Sequence, residues 1–213
     1  EFLDQDPPPW PDVCYTAAQR RDHHDCRLAV LADSPGQAWD ALRGFLRGES
    51  RPGVWTGRKP YGRSLKTAFV YGDGKDWQPQ RWPWNEWIPG FSSVMEDVDT
   101  AFRNVLGQSW TSLQNGDSDW DGADGKYAAW LGVQLALTAW WSRAGVVPQV
   151  VLGQGSGELA AACAAEILTR EDALRLLAVR GTGHGPAALD GFQSRPAALP
   201  FLSAVDGQTH AGP

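Results

Sequence analysis

Gln149-Val150-Val151-Leu152-Gly153-Gln154-Gly155-Ser156-Gly157-Glu158 is the stretch whose reading decides the fold. The apolar run Val150–Leu152 reads as a short buried strand, which breaks into alternating glycines. An Ala-rich helix follows through Ala165. Strand, sharp glycine turn and helix are the context of a nucleophile elbow, Gly-x-Ser-x-Gly, whose central side chain is held exposed at the top of a sheet. The central position here is Gly155, preceded by Gln154. The stretch therefore predicts an acyl-transfer scaffold with no oxygen where the reactive atom belongs.

Outward from the elbow, the pattern is one of alternating strands and helices. Tyr127–Arg143 predicts a long helix, apolar on most faces and so deeply buried, closed by Gly145 as a C-cap glycine. Further upstream, Phe91–Leu106 reads as a helix, Lys66–Tyr71 as a second apolar strand, and Gly72-Asp73-Gly74 as a sharp turn out of it. Asn115–Gly125, rich in Gly and Asp, reads as a loop. After the elbow, Thr169-Arg170-Glu171-Asp172 starts a helix to Arg180 by a capping-box pattern in which Asp replaces the usual Glu or Gln. Gly181–Pro200 has no period, Phe201–Val205 is a last strand, and the end of the chain reads as a flexible tail.

The first third has its own pattern. Pro7-Pro8-Pro9 and Pro11 make a stiff extended start, and Asp12 is the expected N-cap of a helix over Val13–Arg21. Arg27–Asp33 reads as a strand. Ser34 then caps a helix with Pro35 at its first position and Ala38, Trp39, Leu42, Phe45 and Leu46 as its apolar stripe. Val54-Trp55-Thr56 is a short strand. Alternation of this kind predicts an α/β class with a mostly parallel sheet.

Composition narrows the chemistry. The 213 residues are 42% hydrophobic and 21% charged, as in an ordinary globular chain, and the net charge of −6 gives no electrostatic case for nucleic acid or an anionic membrane. No apolar run reaches the roughly 18 residues of a membrane span. Cys14, Cys26 and Cys163 are scattered and odd in number, so a disulfide framework is not expected and a reducing, cytoplasmic setting is. Asp22-His23-His24-Asp25-Cys26 holds metal-ligand types, but consecutive residues cannot all face one ion and no second cluster has zinc spacing. No metal or cofactor is expected. Cys163 reads as a small buried apolar residue. Twelve tryptophans are many, and Trp82, Trp84 and Trp87 in a Pro-containing loop suggest burial against another domain.

Taken in order, these stretches resemble the acyltransferase domain of modular polyketide synthases, together with the linker that joins it to an upstream ketosynthase. The resemblance runs from Pro8 to Gln208. Asp12–Ala17 and Arg20–Val30 are similar to the linker, Phe69–Trp77 to the first strand and glycine turn, and Gln134–Leu137, Trp141 and Gly145–Pro148 to the long helix. Gly153–Ala161 is similar to the elbow, and Phe201–Gly207 to a segment that normally lies far downstream of it.

The departures from that family are specific. Its active members carry Gly-His-Ser-x-Gly-Glu, where the serine takes up a malonyl-type acyl group before handing it to a carrier-protein thiol. Gln154 stands for the histidine and Gly155 for the serine, and without an oxygen no acyl ester forms at that position. The glutamine near the oxyanion site is replaced by Asp73, whose charge would oppose a developing oxyanion. Arg180 matches the arginine that holds the extender carboxylate. The ferredoxin-like subdomain that carries the general-base histidine has no counterpart in Gly181–Pro200, and His184 does not match that histidine's motif.

The resemblance thus implies a small α/β linker subdomain over 1–65, a truncated α/β-hydrolase-like core over 66–208 lacking the ferredoxin-like subdomain, and a tail over 209–213 leading to a following domain. No catalytic residue is expected, Gln154 and Gly155 occupying the reactive positions and Asp73 and Arg180 remaining as vestiges. The chain is accordingly expected not to be an enzyme. It is expected to be a scaffold within a polyketide synthase, in a loading module or one served by a separate acyltransferase. Its expected partners are the ketosynthase side and the downstream domain, with neither nucleic acid nor membrane. One alternative is a docking module for a trans-acting acyltransferase or an acyl carrier protein. A further one is weak acyl transfer through Ser156, which the elbow geometry disfavours because a one-residue shift points the side chain elsewhere; hydrogen bonding at the helix start is its expected role.

Overall fold

The computed structural model describes residues 8–62, 66–77, 88–115, 123–182, 192 and 194–210. By its contacts the chain divides into two compact units, Glu1–Leu65 and Lys66–Pro213.

In the first unit, α1 spans Trp10–Gln19, β1 Cys26–Val30, α2 Pro35–Leu46 and β2 Val54–Arg58. Helix α1 begins earlier than Asp12, with Pro9 as its N-cap and Pro11 inside the first turn. A proline there loses no helical hydrogen bond, because the first N–H groups of a helix have no intrahelical partner. Reading Pro11 as a helix breaker misplaced the start. Helix α2 starts as expected: Ser34 Oγ accepts from Gln37 N at 3.3 Å and Pro35 opens the first turn. Of its predicted stripe only Ala38 is buried, and Leu46 is 81% exposed. Strands β1 and β2 pair antiparallel, from Cys26↔Arg58 to Val30↔Val54. Glu49 takes short bonds from Arg47 and Arg51, each at 2.6 Å, and the Arg47 bond first, with the Arg51 bond, holds its carboxyl down to about 2.

The second unit contains β3 (Ala68–Tyr71), α3 (Phe91–Leu106), α4 (Trp110–Asn115), α5 (Ala123–Arg143), β4 (Val150–Gly153), α6 (Gly157–Ala164), α7 (Arg170–Thr182), β5 (Phe201–Ser203) and β6 (Thr209–His210). Its sheet has the order β3-β4-β5-β6. The first three strands run parallel, Tyr71 opposite Gly153 and Gly153 opposite Ser203. Strand β6 turns back antiparallel on β5, so Thr209 and His210, read as tail, belong to the sheet. Asp206 and Gly207 make the reversal that periodicity did not register, with Gly207 at φ +68°.

Helix α5 is the centre of this unit. Residues 131–136 are all buried, and since six helical positions cover every direction around the axis, the helix needs neighbours on all sides. It packs against α3, α4, α6 and α7. Helix α3 is amphipathic by contrast, and Phe91, Val94, Val98, Ala101 and Phe102 form its buried face. Short α4 lies in a stretch where no element was expected and ends at Asn115, where the loop was expected to begin. Its Trp110 indole N–H donates to Ala129 O at 2.9 Å, and the ring sits where a Cβ on Gly132 would be. Residues 116–122 of the predicted loop lie outside the described residues. Helix α7 starts with one half of the predicted capping box, Asp172 N donating to Thr169 Oγ1 at 3.0 Å, while Asp172 Oδ2 accepts from the Thr169 hydroxyl at 2.7 Å and not from its backbone N–H. Among the described residues no helix is long and apolar enough to cross a membrane.

Candidate functional site

The elbow forms at the carboxyl end of β4, and each of its glycines answers a different steric demand. Gly155 has φ +56°, a left-handed backbone that most residues enter only at a cost. At Gly157 a Cβ would lie 2.3 Å from Tyr71 O and 2.6 Å from Gly72 O, so only glycine lets α6 start against the end of β3. At Gly153 a Cβ would lie 2.6 Å from Glu158 Cα. The turn is then pinned from both sides, as Gln154 N donates to Tyr71 O and Ala204 N to Gly153 O, each at 2.9 Å. Glu158 joins α6 to β5 by accepting a short hydrogen bond from Ser203 Oγ.

Two sequence-predicted residues meet here. Asp73, on the turn after β3, and Gly155 stand face to face, and a Cβ at position 155 would come within 2.8 Å of Asp73 Cβ. Asp73 therefore fills the space into which a side chain at 155 would project. Its carboxylate accepts from Lys75 N at 3.1 Å and pairs with Lys75 Nζ at 3.1 Å. The backbone bond first, then the ammonium, holds its pKa below the ordinary value. The negative charge beside the elbow is thus partly neutralised by its own loop.

Ser156 does not cap α6. Its Oγ donates to Asp73 O at 2.6 Å, tying the elbow to the glycine turn, and α6 has no side-chain cap. The expected bonding at the helix start is replaced because the Asp73 carbonyl comes nearer. Gln154 is exposed. Arg180 lies on α7, but its side chain, like His184, Trp82, Trp84 and Trp87, lies outside the described residues. His210 faces Phe201, two ladder positions behind the elbow, and bonds Asp206 at 2.9 Å. Among the described residues no group of His, Cys, Asp and Glu could hold a metal, and His23 Nε2 lies 3.1 Å from Ala18 O. Cys163 is partly buried, its Sγ 3.5 Å from Thr169 O, and burial pushes its thiol up to about 12.

Other site residues gave little warning in the sequence. Trp130 Nε1 and Gln134 Nε2 both donate to Gly72 O, at 2.9 and 3.0 Å, fixing the turn that carries Asp73. Tyr71 Oη lies 2.9 Å from Thr138 Oγ1, itself bonded to Gln134 O. The one available signal was Gln134 itself, a polar residue inside the apolar run Trp130–Leu137. Chemically, the elbow offers a pinned strand-to-helix turn, a hydroxyl aimed at a backbone carbonyl and a paired carboxylate.

Comparison with known proteins agrees with this architecture. Residues 88–194, just over half the chain, match the family described as "Acyl transferase domain", and residues 1–42 match "CurL-like, PKS C-terminal". The chain belongs to the acyl transferase domain family of modular polyketide synthases. It is 30% identical over 176 residues to polyketide synthase GfsE of Streptomyces halstedii, covering 79% of this chain and 5% of that protein. It is 31% identical over 173 residues to polyketide synthase GfsA of the same organism, covering 79% of this chain and 2% of that protein. A phenolphthiocerol/phthiocerol polyketide synthase of Mycobacterium tuberculosis (strain ATCC 25618 / H37Rv) is 30% identical over 189 residues, covering 85% of this chain and 10% of that protein. The chain thus spans a tenth or less of these relatives.

Among solved structures, the acyltransferase domains from modules 8 and 2 of the salinomycin polyketide synthase share its α/β fold. Their TM-scores are 0.75 and 0.69, at 21% and 19% identity. The matches cover 99% and 97% of this chain, and 71% and 69% of theirs. Family membership corrects the expectation that the chain is not an enzyme. It is an acyl transferase domain by sequence and by fold, and the missing oxygen at 155 does not remove it from a transferase family.

Proposed function

We propose that this chain serves the acyl-transfer station of a polyketide synthase as its scaffold, and that no acyl ester forms at position 155. The carrying observation is the pairing of Gly155 with Asp73. The oxygen is missing, and the space it needs is filled by a carboxylate-bearing side chain. The elbow nevertheless keeps the three glycines and the backbone bonds that its packing requires. What the chain supplies is structure: a linker unit and a strand–turn–helix core. The short Gly181–Pro200 connection, where related domains insert a ferredoxin-like subdomain, supports a truncated core.

Intact-mass measurement after incubation with malonyl-coenzyme A tests this reading. The native chain and the Gly155→Ser variant should both remain unmodified, the variant because its new Cβ meets Asp73. An ester mapped to Ser156 in the native chain, or to the new serine in the variant, overturns it.

A second reading is favoured by α1, which has no buried residue and a cavity of about 500 Å³ along Pro8, Val13 and Ala17. Such a face suits docking of a carrier protein or a separate acyltransferase. Capture of either from purified components, lost on Val13→Asp, supports docking; equal capture by the variant removes α1 from the contact.

A further inference from the structure

Helix α6 begins at the elbow and ends, about 10 Å further along its axis, beside a separate cavity of about 520 Å³, a size that suits a small molecule. The apolar part of its lining comes from Leu135 and Ala139 of α5 together with Ala164 and Leu168. The hydroxyls and the thiol on the lining are already engaged. Ser142 Oγ donates to Thr138 O, Thr138 Oγ1 to Gln134 O, Thr169 Oγ1 to Asp172 Oδ2 and Cys163 Sγ to Thr169 O. Three charged side chains remain: Glu166, Arg170 and Arg195.

Glu166 is the one non-glycine residue among the described residues with a positive φ, +61°. It closes α6, its N–H donating to Cys163 O at 3.1 Å and Ile167 N to Ala162 O at 2.9 Å, a turn at which glycine is usual. A side chain enters that conformation only at a cost, and the one it carries here is a carboxylate on the cavity lining. Main-chain bonds bring Arg195 to the same turn: Arg195 N donates to Ile167 O at 3.0 Å and Ala198 N to Ala165 O at 2.8 Å. Arg170 opens α7. Further along that helix Arg175 pairs with Asp172, but among the described residues Glu166, Arg170 and Arg195 form no ion pair.

We propose that this cavity binds an apolar α-amino acid as its zwitterion. The two guanidinium groups take the carboxylate, the Glu166 carboxylate takes the ammonium group, and the apolar side chain lies against Leu135, Ala139, Ala164 and Leu168. The ligand class follows from the charges. An anion alone would set a like charge against Glu166, and a cation alone would set one against two guanidinium groups. A zwitterion meets both signs through charge-assisted hydrogen bonds. The left-handed turn then has a role, since it holds the Glu166 carboxylate at the cavity. This inference goes beyond the scaffold reading and does not depend on what the elbow does.

Calorimetric titration of the chain with L-phenylalanine tests it, beside 3-phenylpropionate, which lacks the ammonium group, and 2-phenylethylamine, which lacks the carboxylate. L-phenylalanine should bind about 10-fold more tightly than either, since each analogue lacks one charged contact. No binding of millimolar L-phenylalanine, or equal binding of either analogue, overturns the proposal. Arg170→Gln should weaken L-phenylalanine by about 10-fold; unchanged affinity overturns it. Where that variant fails to fold, Glu166→Gly decides, because glycine relieves the left-handed turn. It should melt no earlier than the native chain and lose the preference for L-phenylalanine over 3-phenylpropionate. A preference kept in Glu166→Gly overturns the proposal, because the amino acid is then held elsewhere.

Discussion

At the scale of single residues, the elbow separates two roles that one motif usually combines. Its glycines are required by packing whatever stands between them. Gly157→Ala would place a methyl group 2.3 Å from a backbone carbonyl that cannot swing away. A loss of about 1–3 kcal/mol or more is expected, read by urea denaturation; an unchanged midpoint would show that α6 does not seat there. Cys163 gives a second prediction. Its ordinary value is 9.0 and burial raises it to about 12, so the folded state holds the proton longer than the unfolded one. Its contribution to stability is whole below pH 9 and is lost as pH rises from 9 toward 12. At pH 8 iodoacetamide should label exposed Cys14 and Cys26 in the folded chain and leave Cys163 unmodified; peptide mass mapping checks this.

At the scale of elements, local rules worked where the partner was a near neighbour in sequence. Ser34 and Thr169 begin their helices as their patterns predict, because cap and recipient N–H are three residues apart. Thr169→Ala should accordingly cost about 1 kcal/mol and shift thermal unfolding downward, while Thr169→Ser should recover most of the loss. The long helix α5 was legible in its all-round apolar sequence. The start of α1 was not, since Pro11 is compatible both with an extended segment and with a first helical turn. Ser156 was misjudged because its partner, the Asp73 carbonyl, is distant in sequence and close only after β3 and β4 pair.

At the scale of the whole molecule, the hydrophobic core lies in the second unit, while among the described residues of the first only Ala38 is a buried hydrophobic side chain. The second is built around α5 with Phe102, Leu174, Leu177 and Val151 fully buried. Phe102→Ala should lower its stability by about 3–5 kcal/mol, seen as faster exchange of α5 amides. Exchange of α2 amides in the first unit should stay unchanged; acceleration there would show that the two unfold together.

The order of the longer strands and helices, the sharp glycine turn and the lack of an oxygen at position 155 were all determined by the sequence itself. They depend on residue type and short spacing, and the same features carried the family resemblance. Only the tertiary structure decided that Asp73 fills the space in front of Gly155, that Trp130 and Gln134 hold the Gly72 carbonyl, and that Arg170 and Arg195 share one cavity with Leu135. Each of these joins residues that lie dozens of positions apart in the chain. Their proximity comes from parallel strand pairing and the burial of α5, and no spacing in the sequence encodes it.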